Sequence, residues 1–393
     1  MSRPLRIAMV CDIVPGQTGG SYISTVRFAK LLTERGHHVI LVGSRDRREP
    51  PVTTYEGLPM FQFFALPTPG SGRTYFQSFP TKRALKKLFI AERIDLVHIM
   101  FPSYSCAVAK RVARTLDLPI VAHVHTQPEN LYNFLPHILR RRFVFNAVLN
   151  YLVRFVKNAD RVIFPSELGR DVYQAVAPQI RAEVVSNGVD LTHFHEVNTD
   201  DFLKRYALDP DQTYLLFVGR LMEDKDVATL IRAMKALRQT TPRAHILLVG
   251  TGPLAQSLRQ LAQIEGVSEH VSFLGRISDE DRLAVYSACS LFVLPSHVEL
   301  EGMVVLEAMA CGKPILIANA STSASRFFVD GNGALFAPGD ADDLAQKAHH
   351  ILDDAGVYQA MSKKSRSNAE RFDIHESAKR LESIYESVVN SRA

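Results

Sequence analysis

Two carboxylates, Glu299 and Glu307, sit within the stretch LFVLPSHVELEGMVVLEAMACGKP from Leu291 to Pro314, spaced as Glu-x7-Glu. The apolar run Leu291 to Leu294, closed by Pro295 and Ser296, predicts a buried parallel strand, and MVVLEAMA after Gly302 predicts a helix stopped by Gly312 and Pro314. Both carboxylates then lie at a strand's C-terminal mouth, where open α/β sheets take ligands. The helix start at Gly302, Met303 and Val304 offers backbone N–H groups and a positive dipole end suited to a phosphate. Acceptors for hydroxyls beside donors for a diphosphate suit a sugar nucleotide. Taken alone, the same pair also fits a solvated loop Glu and a first-turn Glu answering the helix dipole.

The elements that must position such a site alternate along the chain. LRIAMVCDIV is a near-continuous apolar run, as expected of a strand covered on both faces, and YISTVRFAKLLTERG predicts a helix ending at Gly36. This βαβ start carries Gly16, Gly19 and Gly20 in a spacing other than G-x-G-x-x-G, and no acid ends its second strand, which disfavours a nicotinamide enzyme. Strands at DLVHIM, PIVAHVH, RVIFPSE, YLLFVGR, HILLVGTGP, VSFLGRIS and SLFVLPS follow, so the fold class is α/β with doubly wound parallel sheets. Residues 198–212 are polar and read as a linker, and a last helix is expected over Ile374 to Val389.

At 393 residues, 46% hydrophobic and 22% charged, the chain suits two soluble domains, each with its own core. It lacks a run long enough to span a bilayer and a signal peptide, so a cytoplasmic protein is expected. Cys11, Cys106, Cys289 and Cys311 stand apart in apolar contexts and read as reduced core residues. Residues 1–200 hold 25 Lys and Arg against 16 Asp and Glu, a net +9, whereas residues 201–393 hold 21 against 25, a net −4. The basic half points to an anionic surface as partner. Its cations gather in Arg73 to Lys87, with Lys82, Arg83, Lys86 and Lys87, and in His137 to Arg161, with Arg140, Arg141 and Arg142 beside Phe143 and Phe145. The second stretch fits a helix in a bilayer interface, or a core helix with a basic rim. No nucleic-acid module is legible, so nucleic acid is not expected as a partner.

Glu-x7-Glu before EAMACGKP resembles the signature of retaining glycosyltransferases of family 4, which have the two-domain GT-B fold. The resemblance runs from the Gly19 loop to the last helix and is strongest from Leu215 to Leu335. It implies two Rossmann-like domains facing a central cleft, residues 1–197 for acceptor and membrane and 198–373 for the nucleotide sugar, with residues 374–393 crossing back to the first domain. Asn187-Gly188-Val189-Asp190 is similar to the family's element at the domain junction. The same resemblance implies that Arg220 and Lys225 hold the donor diphosphate, that Gly19, Gly20 and Gly250 flank it, and that Arg276 and Ile277 seat the base. Glu299 is then expected to hold sugar hydroxyls, Glu307 the ribose diol, and His125 the sugar from across the cleft; His125, Glu299, Arg220 and Lys225 are the expected catalytic set. Glu301 stands where an aromatic residue is usual.

HTQPEN and IANASTSASRFFVDGNGALF look like the lipid-glucosylating members, implying a UDP-sugar donor, most simply UDP-glucose, and a lipid acceptor such as diacylglycerol or a sterol. A peripheral position on the inner face of the membrane follows from that. A lipopolysaccharide or soluble saccharide acceptor is the alternative within enzymes, and a non-catalytic basic scaffold the alternative outside them. No cofactor and no metal are expected, because Asp209-Pro-Asp211 and Asp340-Ala-Asp342 read as turn and cap residues.

Overall fold

A computed structural model describes residues 3–16, 19–48, 50–68, 76–133 and 140–392. The chain divides into two compact units, Met1–Asn187 with His375–Ala393, and Gly188–Ile374.

In the first unit the apolar runs become strands β1 (Arg6–Val10), β2 (His38–Arg45), β3 (Thr54–Tyr55), β4 (Leu58–Pro67), β5 (Phe76–Ser78), β6 (Leu96–Ile99), β7 (Ile120–His123), β8 (Arg161–Phe164) and β9 (Ala182–Val184). Their order is β3-β4-β2-β1-β6-β7-β8-β9, with β5 on β4. The pairs are parallel except where β4 meets β3 and β5, which edge the sheet with antiparallel ladders. Helices α1 (Gly20–Glu34), α2 (Lys82–Ala91), α3 (Tyr104–Thr115), α4 (Pro128–Asn133), α5 (Arg142–Val156) and α6 (Glu167–Gln174) return the chain between strands. Hydroxyl caps start three of them: Thr81 Oγ1 accepts from Ala84 N, Ser103 Oγ from Cys106 N and Ser166 Oγ from Gly169 N. The order reverses direction between β1 and β6, the switch point where such sheets open a crevice.

The second unit is a six-stranded parallel sheet in the order β12-β11-β10-β13-β14-β15. Its strands are β10 (Thr213–Val218), β11 (Ala244–Val249), β12 (Val271–Gly275), β13 (Leu291–Leu294), β14 (Ile315–Ala318) and β15 (Gly333–Phe336). Helices α7 (Asp200–Arg205), α8 (Val227–Thr240), α9 (Ala255–Ile264), α10 (Asp279–Ala288), α11 (Met303–Ala310), α12 (Ala341–Asp353) and α13 (Ala355–Glu370) cover it, and α14 (Ile374–Asn390) follows. Here the switch point lies between β10 and β13. Asp340 caps α12 by accepting from Asp342 N and Asp343 N, and Asp209 accepts from Asp211 N in a turn, so both Asp-x-Asp pairs have structural roles.

The division falls at 187/188 rather than 197/198. Val189 N donates to Phe372 O and Ile374 N donates to Val189 O, while Phe194 is fully buried in the second core. The Arg366 guanidinium ties this segment down by donating to Phe194 O, Leu191 O and Ala310 O. Gly188 (φ +69°) is required at the junction, because a Cβ there would stand 2.6 Å from Ile374 Cα. Nor is 198–212 a loose linker: it contains α7, whose Phe202 joins the second core. The last helix returns its apolar stripe, Ala378, Leu381, Tyr385 and Val388, to the first core beside Ile7, Met9 and Leu41. No helix among the described residues is long and apolar enough to cross a membrane.

Candidate functional site

At the second unit's switch point the chain leaves β10 through Gly219 and Arg220, makes a 3-10 turn over Glu223–Lys225, and enters α8 from Asp226 in the left-handed region (φ 43°). Leaving β13 it passes Ser296, His297 and Val298 to Glu299. These two loops meet ion to ion: Lys225 Nζ lies 2.8 Å from Glu299 Oε1, 3.3 Å from Val298 O and 3.4 Å from Asp224 Oδ2. Burial by itself would depress the Lys225 ammonium, but the Glu299 and Asp224 carboxylates hold it above its ordinary value. Arg220 is half-buried and close enough for its charge to act on Lys225.

A second pair braces the first. His297 Nε2 stands 3.1 Å from Asp226 Oδ2, and that bond raises the imidazole above its usual range. Thr322 Oγ1 donates to His297 O, and Ala324 N donates to Glu299 O, so the loop after β14 latches the loop after β13.

The helix start lies further along the same loop after β13. Gly302 takes φ +102° and caps α11; a Cβ there would stand 2.1 Å from Ser325 Oγ, which donates to Glu301 O. Met303 and Val304 form the first turn, and the buried Glu307 follows one turn in. Glu307 Oε2 accepts from Tyr286 Oη at 3.0 Å, and Arg282 carries a charge that senses the same carboxylate. Glu307 is therefore a held, buried carboxylate and not a solvated residue answering the helix dipole. Gly250 (φ +132°) lets β11's end approach Gly219, because a Cβ would lie 1.9 Å from Gly219 O. Arg276, exposed, and Ile277, packed on the core, leave β12 at the sheet's edge beside it.

The first unit's mouth is of another kind. Gly19 is extended and Gly20 opens α1. His125 follows β7, its ring stacked 4.2 Å from His123, which stacks 5.7 Å from His98; His98 Nδ1 hydrogen-bonds with Tyr385 Oη at 2.5 Å. Burial holds His98 and His125 down to about 3, and His123 well below its ordinary value, so this column is neutral near pH 7. A narrow recess beside it is walled by Phe101, Pro102, His125, Leu152, Phe155 and Tyr173. Asp12, buried at the end of β1, accepts on Oδ1 from Ser78 N at 3.2 Å, Ser78 Oγ at 2.5 Å and Ser105 Oγ at 2.8 Å, and burial holds its carboxyl up.

Of the cationic residues, Lys82, Arg83, Lys86 and Lys87 are exposed on α2, and Arg141 and Arg142 are exposed at the start of α5; Arg140 is half-buried. The α5 segment divides between the two readings it allowed: Leu152, Val153, Phe155 and Val156 are core, whereas Phe143 is 73% exposed. Residues 73–75 and 137–139 of the two basic stretches lie outside the described residues.

The structure thus brings Lys225 to Glu299 directly, and sets Gly302, Met303, Val304 and Glu307 on one helix that follows. Sequence reasoning missed Tyr286, Arg282, Asp226, His297 and Asp12. An acid directly after an apolar strand, as in AMVCD, was a signal available for Asp12; the α10 partners of Glu307 had none. Among the described residues no group of three His, Cys, Asp or Glu could hold a metal ion.

Comparison with known proteins matches residues 18–193 to Glycosyltransferase Family 4 and residues 198–368 to Glycosyl transferases group 1. The sulfoquinovosyl transferase SQD2 of Arabidopsis thaliana is 28% identical over 95% of this chain and 72% of its own length. The alpha-monoglucosyldiacylglycerol synthase of Streptococcus pneumoniae is 24% identical over 79% of this chain and 70% of its own. Among solved structures, Anabaena HepE in complex with UDP-glucose superposes with a TM-score of 0.77 at 22% identity, covering 98% of this chain and all of that one.

Proposed function

Because the chain belongs to the two-domain GT-B glycosyltransferases and is a hexosyltransferase, we propose that it moves a hexose, glucose first among candidates, from a UDP-sugar to a membrane lipid acceptor such as diacylglycerol. The transfer proceeds with retention of configuration, and the protein works as a peripheral protein on the inner face of the membrane. The observation that carries the donor half is the buried Lys225–Glu299 pair at the β10/β13 switch point, with Arg220 beside it. The names of the lipid-modifying relatives support the acceptor half.

In this reading the departing diphosphate draws on Lys225, Arg220 and the positive end of α11. Fixed cations and a dipole need no reorganisation as charge develops on the leaving oxygen. Lys225 already has a carboxylate partner, so a diphosphate exchanges one anionic neighbour for another, and Glu299 turns to the sugar hydroxyls. Glu307, held in place by the Tyr286 hydroxyl, is assigned to the ribose diol. His125, neutral, serves the sugar as a hydrogen-bonding group and not as a cation. The acceptor hydroxyl enters on the face the diphosphate leaves, and a diphosphate oxygen takes its proton. Arg276 and Ile277 are assigned to the base, and Gly19, Gly20 and Gly250 to close backbone approach. No metal is assigned a step.

The test is incubation of pure protein with a panel of nucleotide sugars and lipid extract, followed by mass spectrometry of the products. Hexosylated lipid formed from a UDP-sugar, unaffected by chelator, is the expected result. Transfer only to soluble saccharides would refute the lipid acceptor, and no heat with any uridine nucleotide in calorimetry would refute the donor.

A further inference from the structure

The first unit displays a run of aromatic side chains that its core does not use. Phe64 of β4, Phe79 before α2 and Tyr104 at the start of α3 are 39%, 41% and 43% exposed. Their rings form a chain, with centroids 6.3 Å apart from Phe64 to Phe79 and 5.5 Å from Phe79 to Tyr104, and Leu66, 51% exposed, extends it along β4. The Arg47 guanidinium lies 4.4 Å over the outer Phe64 ring. Single exposed apolar residues are ordinary; a contiguous strip marks a surface that meets something less polar than water.

The chemistry of the flank identifies what it meets. Helix α2 begins three residues after Phe79 and is anchored by buried Leu85 and Phe89. Its outward positions carry Lys82 and Lys86, one turn apart, with Arg83 and Lys87 beside them, and the helix contains no acid. Aromatic rings settle at the depth of lipid headgroups, and lysines beside them meet anionic ones. We infer that the Phe64–Phe79–Tyr104 strip is a bilayer-insertion face whose partner is an anionic phospholipid surface, with α2 as its charged flank. This assigns membrane contact to the β4–α2–α3 side and not to the exposed start of α5, and it rests on the membrane acceptor proposed above.

The chain contains no tryptophan, so one introduced indole reports its own surroundings. Three single-reporter variants, Phe79→Trp, Phe143→Trp on α5 and Phe327→Trp on the exposed surface of the second unit, are mixed with vesicles of phosphatidylcholine with or without phosphatidylglycerol. Part of the lipid carries brominated acyl chains. The Phe79→Trp emission shifts to the blue and is quenched on vesicles containing phosphatidylglycerol, while the Phe327→Trp emission does neither. Adding Lys82→Glu, Lys86→Glu and Lys87→Glu to Phe79→Trp weakens vesicle binding roughly 100-fold at low salt, about fivefold per lysine. Phe79→Trp that keeps its uridine nucleotide binding but shows neither shift nor quenching overturns the inference. If Phe143→Trp is quenched instead, the membrane acceptor stands and this face is the wrong one; if neither reporter responds and the protein fails to pellet with vesicles, both fall.

Discussion

The two sheet mouths solve opposite electrostatic problems with the same topology. At the β10/β13 point of the second unit, charges are answered by opposite charges: buried Lys225 by Glu299, half-exposed His297 by Asp226, and buried Glu307 by the nearby charge of Arg282. At the β1/β6 point of the first unit, the titratable groups are a column of neutral histidines and Asp12 among serine hydroxyls, with no ion pair to them among the described residues. Desolvation penalises any charge, so a site keeps its ions only where partners answer them. In the reaction proposed above, the first arrangement is assigned to the diphosphate on which charge develops.

The sharpest way to break this contrast is to remove the cation. Lys225→Met should lower kcat by about 10²- to 10³-fold, the usual loss for a charge-stabilising group, with the protein still folded by circular dichroism. A fall confined to KM would show that Lys225 only binds the donor.

Acid should separate the units next. His98 and His123 are buried neutral, with folded values below the unfolded 6.5. The unfolded chain therefore binds more protons below that pH, and stability is complete above about 6.5 and lost as the pH falls toward about 3. The two together remove about 3 kcal/mol from the first unit by pH 5.5, with His125 adding to it. In the second unit His297 runs the other way. Its raised value gives stability that is present below 6.5 and lost as the pH rises through the raised value, though its exposure makes the contribution small. His245, lowered to about 4 by burial, is the second unit's clearest acid-sensitive group. Hydrogen exchange by peptide mass spectrometry at falling pH should thus open β6 and β7 before β10 and β13; simultaneous opening would contradict the reading.

Glu307→Ala should weaken UDP binding about 10- to 100-fold in calorimetry, the value of a charge-assisted bond to a buried group. Unchanged affinity would remove its ribose role. The mildest test is Tyr286→Phe, which deletes one bond to the same carboxylate. It should lower stability by about 1 kcal/mol and shift UDP affinity only severalfold.

The strands of both sheets were legible because a strand covered on both faces must be an apolar run, and Leu291 to Leu294 or Arg6 to Val10 can hardly be otherwise. The positions of Glu299, Gly302 and His125 after strands followed from the runs before them, whereas the site roles of Lys225 and His125 came only from the resemblance to family 4. What escaped reading depends on contacts between distant segments. Ser78 and Ser105 reach Asp12 across 66 and 93 residues, so the serine cradle leaves no local pattern, whereas the division at 187/188 falls within the Asn187–Asp190 element, and only the tie from Arg366 to Phe194 across 172 residues was hidden. The α5 segment was ambiguous because a single helix does both jobs, its second half in the core and its first half outside it.

The first core is completed by side chains of α14, among them Leu381 and Tyr385, which belong to the unit that begins at residue 1. A ribosome must make the whole of Gly188–Ile374 before supplying them, a delay of about 10–40 s at ordinary elongation rates. Throughout that interval the nascent amino-terminal half holds an apolar face with its lid still unsynthesised, so it must wait for its sibling or be sheltered by a chaperone. Biogenesis of this enzyme is therefore a matter of timing as well as of sequence.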